Sequence, residues 1–148
     1  MRLFLDANIL VSVINKEYPL FTFTSRIISL ADNSRFTLFT SPVCLAIAFY
    51  FAEKKYKSTS AKKKIQILCD HINIAATDKK IVLQSLNNPA VNDFEDGLEY
   101  YSAIENKCDC IITEDIKDFY FSKIEVLSSE NFFEKYLLNP PGKQRIPK

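Results

Sequence analysis

Five short runs of apolar and β-favouring residues recur along the chain and alternate with longer segments of helical spacing. The runs are RLFLD (2–6), FTLFTS (36–41), INIA (72–75), DCIIT (109–113) and KIEVLS (123–128). Alternating strands and helices build a mostly parallel sheet. The strands of such a sheet read as continuous hydrophobic runs because both of their faces are buried. The order of the segments therefore predicts an α/β fold.

The helical segments begin at residues that cap helices well. In SPVCLAIAFYFAEKK (41–55), Ser41 is a natural N-cap and Pro42 suits the first helical position. Five other segments are also interpreted as helices. In the first, Ile27, Ile28 and Leu30 form a helical stripe, and the next three begin at Ser, Thr or Asp with polar residues early. The five segments are TFTSRIISLADN (22–33), STSAKKKIQILCD (58–70), TDKKIVLQSL (77–86), DFEDGLEYYSAIENK (93–107) and SSENFFEKYLL (128–138).

A chain of 148 residues with 47% hydrophobic residues fits one compact domain. We predict this domain over residues 1–138 and a flexible tail over 139–148, NPPGKQRIPK. Charged residues interrupt every apolar stretch that approaches the ~20 residues needed to cross a bilayer. Asp6 and Asn8 interrupt the hydrophobic region that a signal peptide would need. We therefore expect a cytoplasmic protein without a membrane segment.

Several kinds of chemistry are disfavoured by composition. The chain has only two glycines, Gly97 and Gly142, so it builds neither a G-x-G-x-x-G turn nor a Walker A loop. A single histidine makes a Ser-His-Asp or Cys-His mechanism improbable. The cysteines lack C-x-x-C spacing and read as small, reduced core residues; they are Cys44, Cys69, Cys108 and Cys110. Carboxylates remain as the side chains that can carry chemistry.

Aspartates fall where an open parallel sheet binds ligands, beyond the carboxyl ends of its strands. Asp6 follows the first predicted strand and Asp115 follows the fourth, with Asp118 three residues later. Asp93 and Asp96 share one face at the start of a predicted helix. If both strands are central and the helix begins nearby, Asp6, Asp96 and Asp115 converge. Such oxygen ligands suit Mg²⁺ or Mn²⁺.

Each acid also has a structural interpretation. Asp93 with Asp96 matches an N-cap followed by an acid at the third helical position, and Asp115 with Asp118 could cap a short helix in the same way. Asp6 differs, because an acid beside a buried strand risks a costly unpaired charge unless a cation meets it. We interpret Asp6 as a residue that holds a cation.

These residues resemble the PIN domains, small metal-dependent nucleases that include toxins of bacterial toxin–antitoxin pairs. The resemblance rests on LDANILVSVIN (5–15), TSPVCLAIAFY (40–50) and NDFEDGLEYYSAIENKCDCIITEDIKDF (92–119), and on their order. It implies a three-layer α/β/α fold around five parallel strands and cleavage of RNA by a metal-bound water. It also implies Asp6, Asp96 and Asp115 as catalytic metal ligands and Asp93 and Asp118 as outer members. Asn8 and Thr113 would orient a ligand or a water from the second shell.

One position departs from the family's pattern. Many PIN domains carry a glutamate in the helix after the second strand, and the alignment places Ile47 there. Glu53 is six residues further on, about 240° round the helix, and cannot replace it. Glu99, one turn after Asp96, is a candidate for a late carboxylate.

The departure leaves two hypotheses open. The first is a metal-dependent endoribonuclease, of the kind that serves as the toxin of a toxin–antitoxin pair. The second is a degenerate PIN module that binds RNA or a protein partner without cleavage. In the first, a lysine cluster would guide the RNA backbone; the cluster comprises Lys54, Lys55, Lys62, Lys63 and Lys64. A small antitoxin or a second copy of the chain could bind exposed aromatics such as those of EYPLFTF (17–23).

Overall fold

The computed structural model describes residues 1–140 of the chain. The predicted tail at 139–148 therefore lies, apart from its first two residues, outside the described part and stays a prediction. The strands are β1 (Arg2–Leu5), β2 (Thr37–Thr40), β3 (Asn73–Ile74), β4 (Cys110–Ile112) and β5 (Glu125–Leu127). The helices are α1 (Ala7–Asn15), α2 (Phe21–Ile28), α3 (Pro42–Lys55), α4 (Ser58–Cys69), α5 (Lys79–Asn87), α6 (Phe94–Glu105) and α7 (Ser129–Phe132).

All five strands form one parallel sheet in the order β3-β2-β1-β4-β5. The predicted α/β fold with a parallel five-stranded sheet is confirmed. The chain runs outward from β1 to β3 and then returns to β4 on the other side of β1. The carboxyl ends of β1 and β4 thus adjoin at the point where the strand order reverses, which is where open α/β sheets bind ligands.

The two central strands are buried on both faces. Leu3, Phe4 and Leu5 of β1 have no exposed surface, and neither do the three residues of β4. Since successive side chains of a strand point to opposite faces, helices must cover both sides of the sheet. This is the three-layer α/β/α arrangement that the resemblance implied.

Each predicted helical segment contains a helix, with some differences at the ends. The Ser41 hydroxyl accepts a hydrogen bond from the Cys44 backbone N–H at 3.2 Å, and Pro42 occupies the first turn, as predicted. The segment at 22–33 ends in a 3-10 helix, Ser29–Asp32, and the last helix continues as a π-helix, Phe133–Leu138. Among residues 1–140, no helix combines the length and the apolar character needed to cross a bilayer.

The sequence patterns did not predict α1. Its residues are apolar on almost every side, and Ile9, Leu10 and Val11 are all buried, so the segment lacks the polar face by which a helix is usually recognised. The structure starts this helix at Asp6, whose side chain accepts a hydrogen bond from the Ala7 backbone N–H. Asp6 is therefore a helix N-cap as well as the residue that follows β1.

Gly97 allows α6 to pack closely against α5. A Cβ atom at this position would lie 2.7 Å from Val91 Cγ1 and 3.0 Å from Ser85 Cβ. Both distances are too short for carbon atoms in contact. The absent side chain at Gly97 thus sets the separation of the two helices and fixes where the rest of α6 lies.

We predict that Gly97→Ala destabilises the protein by about 1–3 kcal/mol, because overpacking outweighs the gain of about 1 kcal/mol in helix propensity. Urea unfolding measures the change. Adding Val91→Ala to the variant should recover part of the loss, because Val91 Cγ1 is the nearest atom. A Gly97→Ala protein at least as stable as the wild type would contradict the close packing.

Candidate metal centre

Asp6 lies at the carboxyl end of β1, where only 7% of it is exposed. Its carboxylate accepts hydrogen bonds from Thr113 Oγ1 at 2.6 Å and Asn8 Nδ2 at 2.9 Å, besides the bond from the Ala7 backbone. Thr113 follows β4, so the bond to Thr113 joins the ends of the two central strands. These donors fix the orientation of a carboxylate that is nearly removed from water.

Asn8 links Asp6 to Asp115. Its side-chain amide lies 3.1 Å from the Asp115 carboxylate, and its carbonyl oxygen accepts from the Glu114 backbone N–H at 3.2 Å. The Asp115 backbone N–H donates to Thr113 Oγ1 at 3.0 Å. Asp115 makes no side-chain cap of the 3-10 helix Ile116–Phe119, so the capping interpretation of this residue is wrong. The structure instead brings Asp6, Asn8, Thr113 and Asp115 together in one network.

The first turn of α6 presents two further acids to this network. Asp93 is the N-cap and accepts from the Glu95 backbone N–H at 2.9 Å, as the capping interpretation of that pair expected. Asp96, three residues later, is half-buried. Asp96 and Asp93 line the same pocket as Asp6 and Asp115, so the predicted convergence of the helix with the two strand ends is present in the structure.

This acidic pocket has a volume of about 510 Å³. Its apolar wall includes Ile47 and Phe51 of α3, Val11 and Leu20. Eight carboxylate residues line it, and among the described residues no lysine or arginine does; the acids are Asp6, Glu17, Asp93, Glu95, Asp96, Glu114, Asp115 and Asp118. Such a concentration of negative charge attracts cations.

The charges of the pocket alter the titration of its acids. Burial, followed by the charges of Asp93 and Asp118, raises the pKa of Asp96 to about 7. Burial also raises the pKa of Asp6, although the neighbouring Glu99 and the hydrogen bonds from Thr113 and Ala7 oppose it. The raised pKa of Asp96 shows that its carboxylate lacks a positive partner in the pocket. A bound cation would supply that partner and displace the protons.

Glu99 lies below the pocket, one turn after Asp96 on α6. Only 1% of it is exposed, and neither carboxylate oxygen has a hydrogen-bond partner among the described residues. Burial, then the neighbouring Cys44 and Asp6, raises its pKa well above the ordinary value. The prediction that Cys44 is a core residue is confirmed by its burial, but its thiol also faces the carboxylates of Asp6 and Glu99.

Three acids and one cysteine near the pocket were not predicted from sequence. Glu17, Glu95 and Glu114 line it, and the buried Cys44 has its Sγ within 4.8 Å of an oxygen of Asp6. The position of Cys44, one helical turn before Ile47, was the only available signal. Glu114 is held by Ser129, whose backbone N–H and hydroxyl both donate to it; nothing in the sequence indicated that contact.

The predicted lysine cluster divides into three groups. Lys55 donates to the Asn15 carbonyl at the end of α1, and Lys64 Nζ lies 4.5 Å from the centre of the Tyr56 ring. Lys54 is exposed beside the pocket, with its Nζ 4.0 Å from the Tyr50 ring centre. Lys62 and Lys63 are exposed on α4. Lys54 is thus near the pocket, while Lys55 contacts the end of α1 and Lys64 contacts Tyr56, between α3 and α4.

The fold and the pocket define a class of protein, an α/β domain with a carboxylate-lined pocket where the order of its parallel strands reverses. The sequence profile of the PIN domain matches residues 2–117. The chain therefore belongs to the PIN domain family.

Relatives in sequence and structure agree with this assignment. The chain is 28% identical over 139 residues to the "Ribonuclease VapC1" of Aquifex aeolicus, covering 91% of this chain and 95% of that protein. A VapBC2 structure from Rickettsia felis, bound to a promoter DNA fragment, has a TM-score of 0.66 at 23% identity, covering 86% of this chain and 98% of the other. A VapBC-1 structure from nontypeable Haemophilus influenzae has a TM-score of 0.64 at 19% identity, covering 88% and 99%.

A third solved structure is VapC20 of Mycobacterium tuberculosis, a toxin that cleaves the sarcin–ricin loop. Its TM-score is 0.60 at 10% identity, and the match covers 74% of this chain and 86% of that one. At these identities the solved structures establish the common fold.

We predict that Asp96→Asn stabilises the metal-free protein more at about pH 8 than at about pH 5. The pKa of Asp96 is 3.8 ordinarily and about 7 in the fold. The stability that its proton provides is thus present at low pH and is lost as the pH rises through that window. The thermal midpoint, measured in a chelator, should move by about 2–4 °C for each kcal/mol.

Asp70→Asn is the control, because Asp70 is an exposed acid at the end of α4. Its effect on the thermal midpoint should be the same at both pH values. An equal effect of Asp96→Asn at both pH values would contradict the raised pKa.

Proposed function

We propose that the protein is a divalent-metal-dependent endoribonuclease that hydrolyses RNA phosphodiesters. In this proposal Asp6, Asp96 and Asp115 are the catalytic metal ligands, and Asp93 and Asp118 are outer members of the site. The observation that carries the proposal is the pocket itself, where eight acids meet without a lysine or arginine among the lining residues described. The relative from Aquifex aeolicus, named a ribonuclease, supports the same activity.

The residues of the pocket fit a hard divalent cation. Carboxylate oxygens are the ligands that Mg²⁺ and Mn²⁺ prefer, and we propose one of these two ions. The two ion pairs found within residues 1–140 involve other acids, Glu105 and Glu125, so the charge of Asp6 has no side-chain counterion there. When bound, a divalent ion in such a site activates a water and neutralises charge on the phosphodiester.

The residues around the acids would position them. The Asn8 amide touches both Asp6 and Asp115, and the Thr113 hydroxyl donates to Asp6 while it accepts from the Asp115 backbone. Neither Asn8 nor Thr113 adds charge to the pocket. We propose that both fix the carboxylates in a geometry suited to the ion, as residues hydrogen-bonded to metal ligands do in metal sites.

Aromatic and basic side chains at the rim suit a single strand of RNA. Phe51 lines the pocket, Tyr50 packs edge-on against it at 5.3 Å, and Lys54 lies over the Tyr50 ring. Half of the Tyr50 surface is exposed. Exposed rings can stack on bases while a lysine contacts phosphate. We propose that RNA enters the acidic pocket over this part of α3, with Lys62 and Lys63 as further contacts.

We further propose that the protein is the toxin of a toxin–antitoxin pair and acts in the cytoplasm. The support comes from relatives, since the structures from Rickettsia felis and Haemophilus influenzae are VapBC assemblies. An antitoxin would be the partner of this chain. Tyr18 of EYPLFTF is 72% exposed and Leu20 of the same segment lines the pocket, so a partner bound there would also cover the pocket. A homodimer stays a prediction.

The alternative of a degenerate module that binds without cleavage rests on Ile47 alone. Ile47 does line the pocket, at the place where an acid was expected. However, the pocket retains its other acids, and Glu99 adds a carboxylate beneath it. The alternative therefore has less support than the nuclease.

We predict that the wild-type protein cleaves labelled RNA in the presence of Mn²⁺ and that Asp6→Asn reduces cleavage to background, because the central carboxylate is lost. Asp70→Asn, at the end of α4, should cleave as the wild type does. Expression of the wild type, but not of Asp6→Asn, should arrest bacterial growth, and an antitoxin should relieve the arrest. Equal cleavage by the wild type and Asp6→Asn would refute the assignment of Asp6.

We predict that Lys54→Ala weakens RNA binding and lowers the salt dependence of log K by about 0.7, the value for one phosphate contact on a single strand. Binding is measured in the Asp6→Asn background with Mg²⁺, so that RNA is not consumed. Lys123→Ala is the control, because Lys123 is exposed before β5 at the opposite edge of the sheet. An unchanged salt slope in Lys54→Ala would exclude Lys54 from the RNA path.

A further inference from the structure

Beside Asp6, at the buried end of the acidic pocket, lies a carboxylate that no residue within 1–140 pairs with a positive charge. Glu99 is 1% exposed, and neither of its oxygens has a hydrogen-bond partner within residues 1–140. A buried polar group without a partner is costly, and a buried charge is more so. A side chain that only filled space here would be more favourable as leucine or glutamine. An ionised Glu99 therefore requires a positive partner.

Two other ligand atoms lie around the same point. One oxygen of Asp6, the Sγ atom of Cys44 and one oxygen of Glu99 are all within 4.8 Å of one another. All three residues are buried. An ion near the centre of such a triangle would need only small side-chain movements to reach normal ligand distances. The triangle thus has the dimensions of a metal position.

The three residues come from separate elements that the fold holds rigidly. Asp6 caps α1 and is bound by Thr113, Cys44 lies in the first turn of α3, and Glu99 is in the middle of α6. The Ser41 hydroxyl, 3.2 Å from Cys44 Sγ, also fixes the thiol. Ile47, one turn further along α3, brings no carboxylate to the pocket. The carboxylate at the buried end comes from α6 instead.

We propose that Asp6, Glu99 and Cys44 form one metal position at the buried end of the pocket, in which Glu99 supplies the carboxylate that α3 lacks at Ile47. The proposal rests on the proposed function for the pocket as a whole and names its inner ligands. A sulfur ligand beside two carboxylates favours ions of intermediate softness, such as Co²⁺ and Zn²⁺, more than an all-oxygen site does. The centre should therefore accept transition ions in preference to Mg²⁺.

The first test is Mn²⁺ binding to the full-length protein by calorimetry. We expect Glu99→Gln, which keeps the shape of the side chain, to weaken Mn²⁺ binding about tenfold or more, at least the loss seen when a supporting residue of a metal site is removed. Glu105→Gln is the matched control, since it removes the same charge from the end of α6, where Glu105 pairs with Lys80. Equal Mn²⁺ affinities of the two variants would overturn the proposal.

The thermal midpoint separates a ligand from a structural residue. Without metal, Glu99→Gln should be as stable as the wild type or more so, because an unpartnered acid is removed; with Mn²⁺, only the wild type should gain the full stabilisation. If Glu99→Gln unfolds in the absence of metal, the side chain is structural and the proposal fails. Ile47→Glu added to Glu99→Gln should restore Mn²⁺ binding in part, since Ile47 lines the same pocket; no recovery would count against a shared position.

The second test uses Co²⁺ as a probe of the sulfur ligand. Wild-type protein should show a near-ultraviolet thiolate-to-cobalt charge-transfer band that Cys44→Ser abolishes and that Cys110→Ser, a buried cysteine of β4, retains. Absence of the band, or its persistence in Cys44→Ser, would remove Cys44 from the position. These readouts do not depend on cleavage. If RNA cleavage requires Asp6 but Mn²⁺ binding does not depend on Glu99, this inference is refuted and the proposed function stands. If Mn²⁺ binding depends on Glu99 but the protein does not cleave RNA, only the proposed function is refuted.

Discussion

The site depends on one aspartate that the fold holds almost out of water at the end of its central strand. A desolvated carboxylate is tolerated only where donors or a cation meet it. The pairing of β1 with β4 supplies one donor, because Leu5 lies beside Ile112 and the next residues along the two chains are Asp6 and Thr113. A shift of one residue in this pairing would remove the Thr113 hydroxyl from Asp6 and turn the core side chains of the strand to the wrong face.

Hydrogen bonds orient Asp6 but do not cancel its charge. Burial, followed by repulsion from the neighbouring acids of the pocket, raises the pKa of Asp96. The fold thus keeps several carboxylates close together at a cost in stability, a common feature of functional sites. Binding of a divalent cation would offset this cost, and the ion would stabilise the protein that holds it.

Much of the fold could be predicted because the sheet is parallel and doubly covered. Its strands are therefore continuous apolar runs, and all five were found, although INIA contributes only two paired residues. Helix α1 was missed because it is apolar on nearly every side. The ends of α2 and α7, where 3-10 and π-helical turns follow, depend on packing against neighbours that local sequence does not record.

The site was predictable in part. Acids at strand ends and at a helix start pointed to Asp6, Asp96 and Asp115, because topology alone brings such positions together. The burial of Glu99 and its approach to Cys44 depend on how α6 packs, which no local pattern specifies. The same limit applies to the lysines, since only the structure distinguishes Lys54, exposed beside the pocket, from Lys55, bound to the end of α1.

The contact at Gly97 gives α5 an influence on a pocket that it does not line. Asp96 and Glu99 are one turn apart on α6, so they move as a rigid pair whenever that helix shifts. Helix α6 packs against α5 where the backbone of Gly97, which has no side chain, meets the side chain of Ser85. The width of the pocket consequently depends on how α6 packs against α5. Substitutions in α5 can therefore change the spacing of the acids around a bound ion, although α5 does not line the pocket.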